Sequence, residues 1–279
     1  MKKLPLASLT TLLALAILLI PPLSMRTPAD AQADATIFLY SDPLPGWYGP
    51  DGETALTEDF NQAVDQIPSG WTLDCVQNGG DIDTISALDN AYAASELANL
   101  PHFMCVGNHE AEKPEDMSDI PAKFSGYPDW NLMGGPDGTL ETTYSYDVGD
   151  IHVVTVNQYW NGLGGPDAND HLFKYGGGDG GYIPDALFEW IKDDLRSSTK
   201  PYKIIVAHEP GYPVDRHIGD SLDADPDNRD RFFNLLRTER VIAYYTSHTH
   251  NYYVTEHDGV FEVNTGVCGA NVGAKPDPG

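Results

Sequence analysis

The sequence predicts an α/β fold, and three observations carry that prediction. Short apolar runs of strand length alternate with amphipathic stretches of helical period along most of the chain. Acidic, amide and imidazole residues recur directly after the apolar runs, where open α/β sheets gather their ligand sites. The 279 residues also suffice for one large domain, or at most two, with a substantial core.

Each element follows from a local pattern. Ala35 to Tyr40 reads as the first strand; Phe60, Ala63, Val64 and Ile67 then recur at helical spacing, and a second strand runs through Leu73, Cys75 and Val76. Ile85 to Leu100 is a further amphipathic helix, and His102 to Val106 a third strand. A strand pair spans Thr143 to Asp147 and Ile151 to Asn157, turned by Gly149 and Asp150. Pro184 suits the first turn of a helix that places Leu187, Trp190, Ile191 and Leu195 on one face. Tyr202 to Ala207 is another strand. A helix near Arg229 to Arg237, a strand from Val241 to Tyr245 and a hairpin at Asp258-Gly259 complete the pattern. Between Asn161 and Gly181, eight of 21 residues are glycine, which reads as a long surface loop without a nucleotide P-loop signature.

The ends are read separately. Lys2 and Lys3 precede an uncharged apolar run from Leu6 to Ile20, and Ala31-Gln32-Ala33 offers a small-x-small cleavage site, so residues 1–33 read as a secretory signal peptide. An uncleaved signal anchor is the other reading. The expected product is secreted or periplasmic, with a domain over 34–273, a linker-like end over 274–279 and no integral membrane segment once the leader is gone. With 42 Asp and Glu against 16 Lys and Arg, the net charge of -26 argues against nucleic-acid or anionic-membrane binding by bulk charge. Three cysteines exclude a dense disulfide framework. Cys75 and Cys105 are either buried thiols or a bridged pair that leaves Cys268 alone.

Five blocks follow strand-like runs directly: Ser41-Asp42, Gly80-Asp81, Gly107-Asn108-His109-Glu110, His208 and His248-Thr249-His250. Asp, Asn and His without thiolate suit Mn, Fe or Zn, and two-metal hydrolytic sites are built from such residues. In an extended segment, residues two apart point to the same side about 6.6 Å apart. His248 and His250 can therefore each face one metal of a closely spaced pair.

The order of the blocks resembles the calcineurin-like metallophosphoesterase superfamily, which includes the purple acid phosphatases. That family's pattern is D-x-H, G-D-x-x-D or G-D-x-x-Y, G-N-H-D/E, a lone His after a strand, and G-H-x-H. Here the corresponding segments are Asp42-Pro43-Leu44, Gly80-Asp81-Ile82-Asp83-Thr84, Gly107-Asn108-His109-Glu110, Val206-Ala207-His208 and Ser247-His248-Thr249-His250. The resemblance implies a two-sheet β-sandwich core flanked by helices, a four-layer α/β/β/α arrangement. It implies two divalent or trivalent transition metals bridged by Asp81, one held also by Asn108, His208 and His248, the other by Asp42 and His250. It further implies a phosphoesterase, exported if the leader reading holds, that hydrolyses phosphate mono- or diesters of small molecules or headgroups, through in-line attack of a metal-bound hydroxide, with His109 as the catalytic residue facing the substrate.

Two departures bear on the second metal. Leu44 stands where the family has His, and Thr84 stands where purple phosphatases have a ligating Tyr. The alternative expectation is a protein of this fold with one impaired metal site that mainly binds phosphate ligands. A zinc peptidase is disfavoured, since H-E-x-x-H is absent. Each residue also has a plain structural reading: Asp42 as a turn cap, His208 as a core histidine, Asp83 as a helix N-terminal carboxylate, Glu110 as a structural acid. His102, His152, His171, His217 and His257 match no ligand position and read as surface or strand residues.

Overall fold

Alternate side chains of a strand face opposite sides of its sheet, and that period sorts the core into layers. In β1 (Ile37–Tyr40), Ile37 and Leu39 enter one apolar cluster while Phe38 and Tyr40 enter another. β1 pairs in parallel with β2 (Cys75–Asn78), which pairs in parallel with β3 (His102–Phe103), giving a three-stranded sheet. This computed structural model describes residues 35–45, 51–112, 114–139, 141–163 and 181–268. The expected leader, most of the glycine-rich loop with His171, and the 274–279 end lie outside them.

A second sheet has seven strands in the order β4-β5-β6-β7-β8-β10-β9: β4 (Met133–Gly134), β5 (Tyr144–Val148), β6 (Ile151–Thr155), β7 (Tyr202–Val206), β8 (Ala243–Thr246), β9 (Tyr252–His257) and β10 (Val260–Thr265). Its centre, β6-β7-β8-β10, is parallel, and antiparallel pairs flank it. The two sheets face each other across Leu39, Cys75, Phe103, Tyr146, Val153 and Tyr245.

Helices cover the outer faces. α1 (Gly52–Asp65), α2 (Ile85–Ala94) and α4 (Pro114–Phe124) press Leu56, Phe60, Leu88, Met117 and Ile120 against the three-stranded sheet. On the other side, α5 (Asp185–Ser197) and α6 (Pro226–Thr238) cover the larger sheet. Leu187, Ile191 and Leu195 of α5, spaced i, i+4, i+8, are fully buried, each stabilising by about 1.5–3 kcal/mol relative to exposure. The result is the expected four-layer α/β/β/α sandwich.

Several boundaries differ from the sequence reading, each for a local reason. α2 stops at Ala94 instead of Leu100, because Ser95 turns extended and its hydroxyl takes the Tyr92 carbonyl at 2.8 Å. β3 pairs over two residues only. Beyond it the Met104 N–H donates to Tyr127 Oη at 3.2 Å, and the Met104 carbonyl accepts from Tyr144 at 2.7 Å, so tyrosines replace a ladder. α1 begins eight residues before Phe60 and α6 three before Arg229; in α6 the Asp225 side chain accepts from the Asn228 N–H at 3.1 Å and Pro226 opens the helix.

All three cysteines are buried and free. Burial between the sheets pushes the Cys75 thiol up to about 12, which keeps it protonated and inert. Among the described residues, no helix is long and apolar enough to cross a membrane.

Candidate metal centre

The parallel strands β1, β2, β7 and β8 deliver their next residues to one end of the sandwich. There the chain turns abruptly, and four of the predicted ligands take left-handed backbone: Asp42 at φ 47°, Asp81 at 55°, His248 at 66° and His250 at 57°. Asp, Asn and His tolerate this conformation better than other side-chain residues, yet it remains costly without compensation. At Asp81 the compensation comes from Glu110. Fully buried, it accepts from the backbone N–H groups of Asp81, Ile82, Asp83 and Gly107 at 2.9, 2.7, 3.2 and 2.8 Å. The acid read as structural thus pins both metal-motif loops to each other.

The two glycines that open these loops are there for space. A Cβ on Gly107 would lie 2.2 Å from Asp81 Oδ1, and one on Gly80, itself at φ 102°, would lie 2.6 Å from His208 Nδ1. Any other residue at either position would push a predicted ligand away.

Six predicted ligands converge. Asp81, His208 and His248 each offer a ligand atom within 4.8 Å of the others, and so do Asp42, Asp81 and His250. The two groups share Asp81, as a bridging carboxylate would. Asn108, on the single helical turn α3 (Asn108–Ala111), completes the first group: its amide head lies 3.2 Å from His208 Nε2, Asp81 Oδ1 and His248 Nδ1. Asp81 Oδ1 is an acceptor, and each ring nitrogen accepts when it carries no proton. With NH2 inward the amide donates to such acceptors; with oxygen inward it adds a lone pair that a bound cation would satisfy.

Hydrogen bonds behind the ligands aim them. His208 Nδ1 sits 2.9 Å from the Gly79 carbonyl and 2.8 Å from Ser247 Oγ, which leaves Nε2 facing Asp81 Oδ2 at 3.2 Å. Such outer partners fix the tautomer of ligating histidines. Ser247, standing where the family pattern has Gly, also donates to Asp42 Oδ1 at 3.0 Å. The other oxygen, Asp42 Oδ2, is buried and has no partner among the described residues.

The electrostatics ask for positive charge. Burial pushes Asp42 well above the carboxylate range, opposed by His208 and reinforced by Asp81. For Asp81 burial acts upward too, but His208, His109 and His248 outweigh it and hold the carboxyl far below that range. Burial lowers His208, yet Asp81 and Asp42 prevail and raise it to about 10. Burial keeps His248 well below its ordinary value, and burial followed by Arg216 brings His250 to about 4, so both present neutral lone pairs. An orphaned carboxylate oxygen, neutral imidazoles and a donor set of O and N atoms fit one or two transition-metal ions.

His109 stands beside the cluster. Its backbone N–H donates to Asp81 Oδ1 at 3.2 Å, and Nε2 lies 3.8 Å from Asp81 Oδ2, with the side chain 17% exposed. The departures are also explained locally. Leu44 is fully buried, and Thr84 caps α2, accepting from the Ala87 N–H at 3.3 Å. Thr84 rather than Asp83 therefore opens that helix. His217, read as a surface or strand residue, packs on His248 with ring centroids 3.9 Å apart and the rings tilted by 36°. Nothing in its sequence neighbourhood marks it, since it lies in an irregular loop.

The family model described as calcineurin-like phosphoesterase matches residues 37–252, from the first strand to just past the last histidine block. The chain belongs to that family. The family is one of phosphoesterases, and the matched span contains every predicted ligand. No curated protein sequence matches the chain at a significant level. Two solved structures share the fold. One is GAP50, the anchor in the inner membrane complex of Plasmodium, at 14% identity and TM-score 0.53, covering 84% of this chain and 72% of that one. The other is a candidate 5′-nucleotidase from Staphylococcus aureus, at 15% identity and TM-score 0.50, covering 83% of this chain and 48% of that one. The chain thus spans about half the length of the staphylococcal protein.

Proposed function

We propose that the chain is an exported hydrolase of phosphate mono- or diesters, working through a two-metal centre. Asp81, Asn108, His208 and His248 hold one ion, and Asp42, Asp81 and His250 the other. The observation that carries this reading is the pair of ligand groups sharing Asp81. When bound, the ions supply Lewis-acid stabilisation of phosphoryl charge and lower the pKa of a coordinated water.

The protein's own residues do the rest. Glu110, Gly80 and Gly107 keep Asp81 in a single position, so the centre needs no reorganisation during reaction. His109, partly exposed at the mouth and tethered through its backbone to Asp81, hands a proton to the departing ester oxygen. Burial of His208 and Asn108 keeps bulk water from the inner ligands.

A second reading has a specific basis. Leu44 is buried where the family supplies an imidazole, and the Thr84 hydroxyl is engaged as a helix cap. The Asp42–Asp81–His250 group therefore has three protein ligands and binds its ion more weakly than its neighbour. If that ion is absent in use, the protein is a phosphate-ligand binder with little turnover. Hydrolysis of nitrophenyl phosphate and bis(nitrophenyl) phosphate with added Mn, Fe or Zn separates the two. Turnover of either ester above background supports the hydrolase, whereas phosphate binding without turnover under every metal supports the binder.

A further inference from the structure

His248 has two ring nitrogens, and the centre accounts for one. Nδ1 lies 3.2 Å from the Asn108 amide head, among the inner ligands. Nε2, across the ring, is buried and has no hydrogen-bond partner among the described residues, although the residue is only 2% exposed. An unsatisfied nitrogen in that position is costly, and native structures fill such positions with a donor, water or an ion.

A second orphan lies close by. Asp220 Oδ1 is likewise buried and unpartnered, while Oδ2 of the same carboxylate is 3.3 Å from His217 Nδ1. His217, Asp220 and His248 each present a ligand atom within 4.8 Å of the other two, with His217 packed over the His248 ring. Two imidazoles and one carboxylate form the donor set of three-ligand zinc sites, with open positions left for water. This outer group takes neither Asp42 nor Asp81 and shares only His248 with the centre described above.

We propose that His217, Asp220 and the outward nitrogen of His248 form a further site for a zinc-class divalent cation, and that filling it inhibits the neighbouring centre. The inhibitory half rests on the hydrolase reading; the cation site does not. A neutral imidazole ligates through one nitrogen while the other carries the proton. When an outer cation takes Nε2, the ring proton moves to Nδ1, and His248 turns a donor instead of a lone pair toward the inner group. No proton is released overall, and the inner ion loses one of its four ligands.

The test uses the full chain titrated with zinc, comparing wild type with Asp220→Asn and His217→Asn, both verified as folded by circular dichroism. Zinc bound at equilibrium dialysis should show one weak equivalent in wild type beyond the tight ones, weakened about 10- to 100-fold in each variant. Nitrophenyl ester hydrolysis should rise with zinc and then fall, with the falling limb moved to correspondingly higher zinc in Asp220→Asn. Variants that bind zinc with the wild-type isotherm overturn the site. Loss of the weak equivalent with undiminished inhibition overturns the link between site and inhibition. A chain that binds the weak equivalent but turns over no ester leaves this site standing and sinks the hydrolase reading instead.

Discussion

Glu110 shows how much of the centre's geometry depends on a residue that touches no ion. Four backbone N–H groups, three from the Gly80-Asp81 loop's continuation and one from Gly107, converge on a single buried carboxylate. Glu110→Gln keeps the size but places an NH2 against N–H donors, leaving at least one unsatisfied at about 1–3 kcal/mol. Because Asp81 serves both ligand groups, that substitution should weaken both metals together, by about 10- to 100-fold. Metal-binding isotherms of the variant check this; a selective loss at one ion would show that Glu110 does not act through Asp81.

At the scale of elements, the hairpin of β5 and β6 is tied to α5 by a histidine that sequence reasoning left as a strand residue. His152 Nδ1 meets Asp147 Oδ1 and Nε2 meets Asp194 Oδ2, both at 2.8 Å, and Ser145 donates to the other Asp194 oxygen. Burial lowers the imidazole, but the two carboxylates outweigh it and raise its pKa above the ordinary value. The stabilisation is therefore complete below the unfolded-state pKa, about 6.5, and is lost as pH rises through the higher folded value. The difference in Tm between wild type and His152→Gln should be largest near pH 5 to 6 and shrink toward pH 9; a gap that widens with pH would contradict this assignment.

The same scale shows what the sequence made legible. β1, β2, β6, β7 and α5 announce themselves through their apolar runs, which the structure buries, and the β9-β10 hairpin through its Asp258-Gly259 turn. α4 was silent. Pro121 lies inside it, and Met117 and Ile120 are too few to establish a helical stripe. The ends of α2 and β3 depend on Ser95, Tyr127 and Tyr144, whose hydrogen bonds are tertiary and leave no local signal. The six candidate ligands were legible because each follows a strand. His217 was not, since a loop brings it back onto His248.

The whole molecule carries a net charge of -26, which repels the phosphate esters the centre is proposed to bind. Cations bound at Asp42 and Asp81 would reverse the sign locally, but the long-range field would remain. Added salt should therefore help: raising ionic strength from about 0.01 to 0.15 M shortens the Debye length from about 30 to 8 Å and should lower KM for an anionic ester with kcat nearly unchanged. A KM that rises with salt would mean that an attractive patch, not the metals alone, draws the substrate in.

The central claim is that one carboxylate, Asp81, bridges two cation groups. The most direct test counts tightly bound Mn per chain in wild type, His250→Ala and Asp81→Asn. Two equivalents of unequal affinity in wild type, one in His250→Ala and severe weakening of both in Asp81→Asn are the predicted result. An Asp81→Asn protein that keeps one ion at wild-type affinity would contradict the shared bridge.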